Sequence, residues 1–109
     1  MPATVRLREI ASARSGDKGN HANIGVVARY AAGYEILLSR LTAVRVQDYF
    51  KELDVTRVER FELPRVMALN FLLYDCLGGG ASRSLRIDTQ GKLLGTSLLD
   101  IVLHTDPDN

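Results

Sequence analysis

Asp17, Lys18 and His21 lie close together, with Ser15, Asn20 and Asn23 interleaved and glycines at 16, 19 and 25. This set offers an acid or base, a cation, a titratable imidazole and two amides. Glycines let backbone N–H groups approach a ligand closely. Such a stretch could hold a carboxylate or phosphate, or polarise a carbonyl. The plainer reading is a structural loop, with Asp and Asn bonded to nearby backbone and Lys18 solvated. The residues alone leave both open. A second stretch, Gly78 to Asp88, follows three glycines with Ser82, Arg83 and Ser84. Arg83 presents a planar fork suited to a carboxylate or phosphate. Its plainer reading is a helix C-cap leading into a strand.

Other chemistries are excluded by motif. There is no G-x-x-x-x-G-K-[ST] and no G-x-G-x-x-G. Gly16-Asp-Lys-Gly19 matches the G-x-x-G of KH domains in letters, but it joins two strands where that loop joins two helices. His21, His104 and Cys76 are too far apart for a zinc site. No G-x-S-x-G elbow occurs. No metal or cofactor is expected.

Stepping from these residues to the chain that must hold them, 109 residues suggest one domain with a real core. Hydrophobic content of 46% and charged content of 25% are ordinary globular usage. A net charge of +1 demands neither nucleic acid nor an anionic membrane. The single cysteine fits a reducing compartment, and the expected location is cytoplasmic. The N-terminus has no apolar h-region, so a secretory leader is not expected. No apolar run approaches membrane-spanning length. The polar tail at 105–109 should fray.

Residues 4–12 alternate at first and suggest a half-buried strand. Residues 15–23 then form a long loop, and 24–30 a second, β-branched strand. A short helix begins near Tyr34, and Thr42 is placed to N-cap a helix over 43–53. Residues 55–63 suggest a strand that Pro64 stops. Residues 65–77 are apolar almost all round and read as a helix buried on several sides. In it, Cys76 is a buried core thiol, slow to react. Asn70, its polar interruption, needs hydrogen-bond partners, more simply a neighbouring loop than a substrate. Tyr34, Tyr49 and Phe50 suit the core. Residues 82–88 suggest a strand, 89–92 a turn, 94–98 a helical turn and 100–104 a last strand. The order predicts an α+β domain, a mainly antiparallel sheet with helices on one face, ferredoxin-like in arrangement. The surplus apolar surface of a 65–77 helix predicts a homodimer. The 15–23 and 78–84 loops, each bordering a strand, are expected to meet in one anion-accepting pocket between Lys18 and Arg83.

Several separated segments together are familiar. Ser15-Gly-Asp-Lys-Gly-Asn20 with Asn23-Ile-Gly25 resembles the signature of the AtuA-like domain. Ala68-Leu-Asn-Phe71, Gly78-Gly-Gly80, Arg83-Ser-Leu-Arg86 and Asp88-x-Gln-Gly-Lys92 match it in the same order, so the resemblance spans about Val5 to Val102. The family is named for the acyclic terpene utilisation protein. Its domain is typically the C-terminal part of a longer chain and is described as ferredoxin-like. Stand-alone versions resemble this chain. The resemblance implies a context in catabolism of branched or terpenoid acyl-CoA compounds, but not a mechanism. It makes a larger AtuA-type catabolic protein an expected partner.

The leading expectation is an accessory module that binds a small anionic metabolite, an acyl-CoA or carboxylate. A second reading is a small lyase, hydratase or isomerase, with Asp17 or His21 as base and Lys18 or Arg83 as electrostatic stabiliser. A third is a purely structural oligomerisation domain. Turnover of an enoyl-CoA, co-purification with a larger partner, or a stable oligomer without ligand separates the three. Candidate ligand contacts are Ser15, Asp17, Lys18, Asn20, His21, Asn23, Asn70, Ser82 and Arg83.

Overall fold

The structure is a computed structural model that describes residues 3–76 and 94–105. A hairpin starts the main sheet: β2 (Ala11–Lys18) pairs antiparallel with β3 (His21–Ala28). Ahead of it lie a short strand β1 (Thr4–Arg6) and one helical turn, α1 (Leu7–Ile10). After it come α2 (Ala31–Arg40) and α3 (Ala43–Tyr49), then β4 (Arg57–Leu63) and β5 (Ala68–Tyr74). Residues 94–98 are helical, and β6 (Val102–His104) pairs with β1. The four-stranded sheet runs β2-β3-β5-β4, every neighbour antiparallel. β3 and β4 are therefore parallel to each other, with β5 inserted between them and the helices crossing over. That is a split βαβ unit, and the α+β, ferredoxin-like expectation holds.

The core lies on one face of this sheet. Ile24, Val26, Leu69, Phe71 and Leu73 point inward, all fully buried, and meet Leu37, Leu41, Val46 and Leu98 from the helices. Three local devices fix the helices. Thr42 caps α3 by accepting the Arg45 N–H at 3.2 Å, as its position in sequence predicts. The Arg60 guanidinium donates to the Leu38 and Leu41 carbonyls at 3.0 and 3.1 Å, satisfying the C-terminal end of α2. Gly95 lies so close to β2 that a Cβ there would stand 3.0 Å from the Arg14 carbonyl carbon.

Three expectations are corrected. Residues 4–12 are not one strand, because Leu7 and Ile10, three apart, are both buried on a helical turn, with Glu9 accepting the Arg6 N–H. Residues 15–23 are not a loop. They are the facing ends of β2 and β3, joined at Gly19-Asn20, where Gly19 takes φ +64° and Asn20 does not go positive. A two-residue hairpin turn with glycine first asks for that pattern.

The third correction is the largest. Residues 65–77 are not a helix: Pro64–Val66 is a 3-10 turn, Met67 turns the chain at φ +55°, and Ala68–Tyr74 is a central strand. A strand between two others, apolar on most positions, is a short continuous apolar run, and periodicity alone does not distinguish it from a buried helix. The helix-based reason for a dimer goes with it. Cys76 follows the strand and is buried, 3% exposed. Burial pushes its thiol pKa up. The strand expected over 82–88 and the turn over 89–92 fall outside the described residues. The helical turn at 94–98 and the last strand are found, the latter as β6.

Candidate functional site

In an antiparallel sheet, directly paired residues point to the same side. The register therefore lays out the second face of the sheet in rows. One row holds Arg14, Gly25, Asn70 and Phe61. The next holds Gly16, Asn23, Leu72 and Glu59. Beyond it Lys18 is paired with His21, and Tyr74 with Arg57. At the other end stand Ser12, Val27 and Leu63. The described helices pack on the opposite face, so among the described residues nothing covers this one.

Asn23 and Asn70 meet here. The Asn23 Nδ2 donates to the Asn70 Oδ1 at 2.6 Å across β3 and β5. That bond uses one donor of the pair and leaves the Asn70 amide N–H groups and one N–H of Asn23 for another acceptor. His21 lies on the same side. Its Nδ1 accepts the Asp75 backbone N–H at 2.9 Å, so the neutral ring carries its proton on Nε2. The ring tilts against Tyr74, centroids 5.0 Å apart. Tyr74 donates its hydroxyl to Glu59 and carries the Arg57 guanidinium 4.1 Å above its ring. Interaction with the Tyr74 side chain pushes the Arg57 pKa further up, with Glu59 adding to it.

The floor between these groups is bare. Gly16 and Gly25 sit on this face in adjacent rows. A Cβ at Gly16 would meet nothing within 4 Å, and one at Gly25 only ordinary contacts, Asn70 Oδ1 at 3.9 Å and the Arg14 carbonyl at 4.0 Å. Packing among the described residues thus requires neither glycine. Glycine inside a strand often marks a place where a ligand or another backbone approaches. The side chain of Arg14, exposed in the same row as Gly25, makes no hydrogen bond or ion pair to any described residue. The arrangement is rich in donors and carries positive charge, which suits an acceptor-rich, anionic group.

Asn23 and Asn70 meet and His21 shares their face; Ser15, Asp17 and Asn20 do not join them. Ser15 points to the covered face, where its Oγ accepts the Gly95 N–H at 2.8 Å and helps dock residues 94–98. Asp17, exposed, alternates to that same side of β2, away from the asparagines. Asn20 is in the exposed hairpin turn. Lys18 ends β2 in register with His21. Ser82 and Arg83 lie outside the described residues, and so does the 78–84 half of the expected two-loop pocket. Its 15–23 half is a strand hairpin.

Arg14, Arg57, Glu59 and Tyr74 complete the site without having been singled out by sequence. The signal was the two-residue period of Asn70, Leu72 and Tyr74, hidden once 65–77 is read as a helix.

A split βαβ domain with helices on one side of an antiparallel sheet belongs, as a class, with ferredoxin-like α+β domains. The family model described as the AtuA ferredoxin-like domain matches residues 5–104, and the chain belongs to that family. No curated protein and no solved structure matches it. No helix among the described residues is long and apolar enough to cross a membrane.

Proposed function

We propose that this domain is a binding module that takes a small anionic metabolite, a carboxylate or an acyl-CoA thioester, on the open face of its sheet. One observation carries the reading. The Asn23–Asn70 amide pair, the Nε2–H of His21 and Arg14, whose side chain is unpaired among the described residues, surround a floor that two glycines leave bare of described side chains. Amide and imidazole donors bind a carbonyl or carboxylate oxygen, and Arg14 supplies the opposite charge. The family's tie to acyclic terpene utilisation makes a branched acyl-CoA the first ligand to test. It also supports a place beside a larger AtuA-type catabolic protein, as an accessory to that protein's chemistry.

The test is an NMR titration of the whole chain with isovaleryl-CoA, acetyl-CoA, free CoA and isovalerate. At least one should shift the side-chain amides of Asn23 and Asn70 and the His21 ring. Arg14→Ala and Asn70→Ala should each weaken that binding by about tenfold, the loss of one charge-assisted hydrogen bond. Silence of the open face toward all four probes, with shifts elsewhere or nowhere, would overturn the reading. Consumption of an enoyl-CoA would replace it with the lyase, hydratase or isomerase reading.

A further inference from the structure

Among the described residues the open face is too flat to enclose a ligand by itself. Small-molecule sites bury most of their ligand's surface in a cleft or cavity. A four-stranded sheet offers a floor of roughly 19 Å by 23 Å without walls. One end of that floor is also apolar: Val27, Phe61 and Leu63 are 44%, 46% and 47% exposed. We propose that a second copy of this chain packs face to face over this sheet and completes the site. The proposal rests on the binding reading above.

The occupant is argued from self-complementarity. Place a two-fold axis between the sheets, parallel to the strands. It sets β2 of one copy over β4 of the other and keeps each row over its own equivalent. The apolar rows of both copies then meet. Arg14 at one edge lies over Phe61 of the second copy, one row from Glu59 of that copy, and the symmetry repeats the contact. A guanidinium over an aromatic ring and near a carboxylate is favourable on both counts. The Arg14 side chain, without a partner among the described residues, gains one.

The same operation sets Gly25 of each copy over Asn70 of the other, and Gly16 over Glu59, in the middle rows. Sheets pack about 10 Å apart when side chains fill the gap. Here the glycines leave the gap unfilled beside Asn23 and Asn70. At the far end Arg57 of one copy comes over the fourth row of the other, so positive charge gathers there. An anionic head group relieves it, while an acyl chain fits toward Phe61 and Val27. The area, roughly 440 Å² of sheet in plan per copy, belongs to the weak end of specific interfaces. The dimer should therefore form at about tens of micromolar protein, and ligand should tighten it.

Sedimentation equilibrium on the intact chain and on Phe61→Glu tests this, with isotope-filtered NOEs on a mixture of labelled and unlabelled wild type. Phe61 is exposed, so the substitution should leave circular dichroism and Tm near wild type. Expected are a wild-type dimer, intermolecular NOEs at Val27, Phe61 and Leu63, and a monomeric Phe61→Glu variant. That variant should bind the best of the four probes at least about tenfold more weakly. A wild-type monomer at about 200 µM, well above the expected dissociation constant, would overturn the proposal, as would NOEs confined to another surface. So would a monomeric Phe61→Glu that binds the probe as tightly as wild type. The two readings fail separately: a face-to-face dimer that binds no probe removes the binding reading alone, and a monomer whose open face binds a probe removes the dimer alone.

Discussion

The two faces of the four-stranded sheet are made by the same strands, yet they follow different rules. On the covered face Ile24, Phe71 and Leu73 are fully buried against helices. On the open face, one residue along the same strands, stand Asn23, Asn70 and Leu72, with Gly16 and Gly25 beside them. The covered face is chosen by packing, where a missing methylene is costly. The open face leaves space that packing among the described residues does not explain, and donors that those residues do not use. Stability should therefore follow the first face and ligand binding the second.

The largest effect expected on that contrast is at Phe71. Phe71→Ala removes a fully buried ring at the centre of the covered face. It should cost about 3–5 kcal/mol in urea unfolding. Cys76, buried on the same side, provides a second readout. A thiol that reacts only through opening is labelled in proportion to the open population, so Phe71→Ala should speed labelling by at least about a hundredfold. The sign of the pH dependence follows from burial, which raises the folded thiol's pKa. The folded state keeps the proton longer, so this contribution to stability is present below the free-thiol range and is lost as pH rises through the folded value. Fast labelling of the native wild type at neutral pH would break the contrast.

A smaller loss is expected where a helix touches the sheet. Gly95→Ala pushes a methyl to 3.0 Å from the Arg14 carbonyl carbon and 3.1 Å from the Ser15 nitrogen, both backbone atoms that do not yield easily. It should also strain the Gly95 N–H bond to Ser15 Oγ. The expected cost is about 1–3 kcal/mol, read as a lower urea midpoint with unchanged m-value. An unchanged midpoint would show that residues 94–98 dock more loosely than drawn.

The open face should behave differently at Asn70. Asn70→Ala deletes one partly buried amide bond, worth about 0.5–1.5 kcal/mol. Its effect on ligand binding, about tenfold, should exceed any further effect on fold. A loss of stability as large as that of Phe71→Ala, with binding intact, would make Asn70 a structural residue and return the face to the plainer reading.

How much of this was legible in the sequence depended on which face a residue serves. The two central helices α2 and α3, the Thr42 cap, the stop at Pro64 and the last strand were readable, because capping chemistry and periodicity are local. The α+β class followed from their order. The strand at 68–74 was not readable, because Leu72 and Tyr74 on the open face blur the alternation that Leu69, Phe71 and Leu73 would otherwise show. The hairpin at 11–28 was hidden in another way. Its inward positions Ala11, Ala13, Ser15 and Ala22 are small, so they carry little hydrophobic signal, while the outward ones carry the polar groups that suggest a loop. Gly19-Asn20 was nevertheless a two-residue hairpin signal of known type. Asn23, His21 and Asn70 were visible as chemistry. Their meeting was not, since it depends on the pairing of β3 with β5, a long-range fact.

The smallest effect on stability is the sharpest test of the contrast. Gly25→Ala adds one methyl to the open face. Its backbone is not at positive φ, and the nearest atoms would be 3.9 and 4.0 Å away, ordinary contact distances. Replacing glycine by alanine at a compatible position restricts the unfolded chain and stabilises by about 0.4–1 kcal/mol. Contacts with the described residues alone would thus favour alanine here. On the binding reading, a group lying on the sheet is what excludes it: a methyl at Gly25 would hold that group off the floor between Asn70 and Arg14. Gly25→Ala should therefore leave the urea midpoint unchanged or slightly raised while weakening binding of the best acyl-CoA or carboxylate probe several-fold. If the variant binds as tightly as wild type, nothing rests on that floor, and the bare patch is no part of the site. If it is instead destabilised by more than about 1 kcal/mol, packing within the chain does use the glycine, and the division between the two faces fails at the residue where it is most clearly drawn.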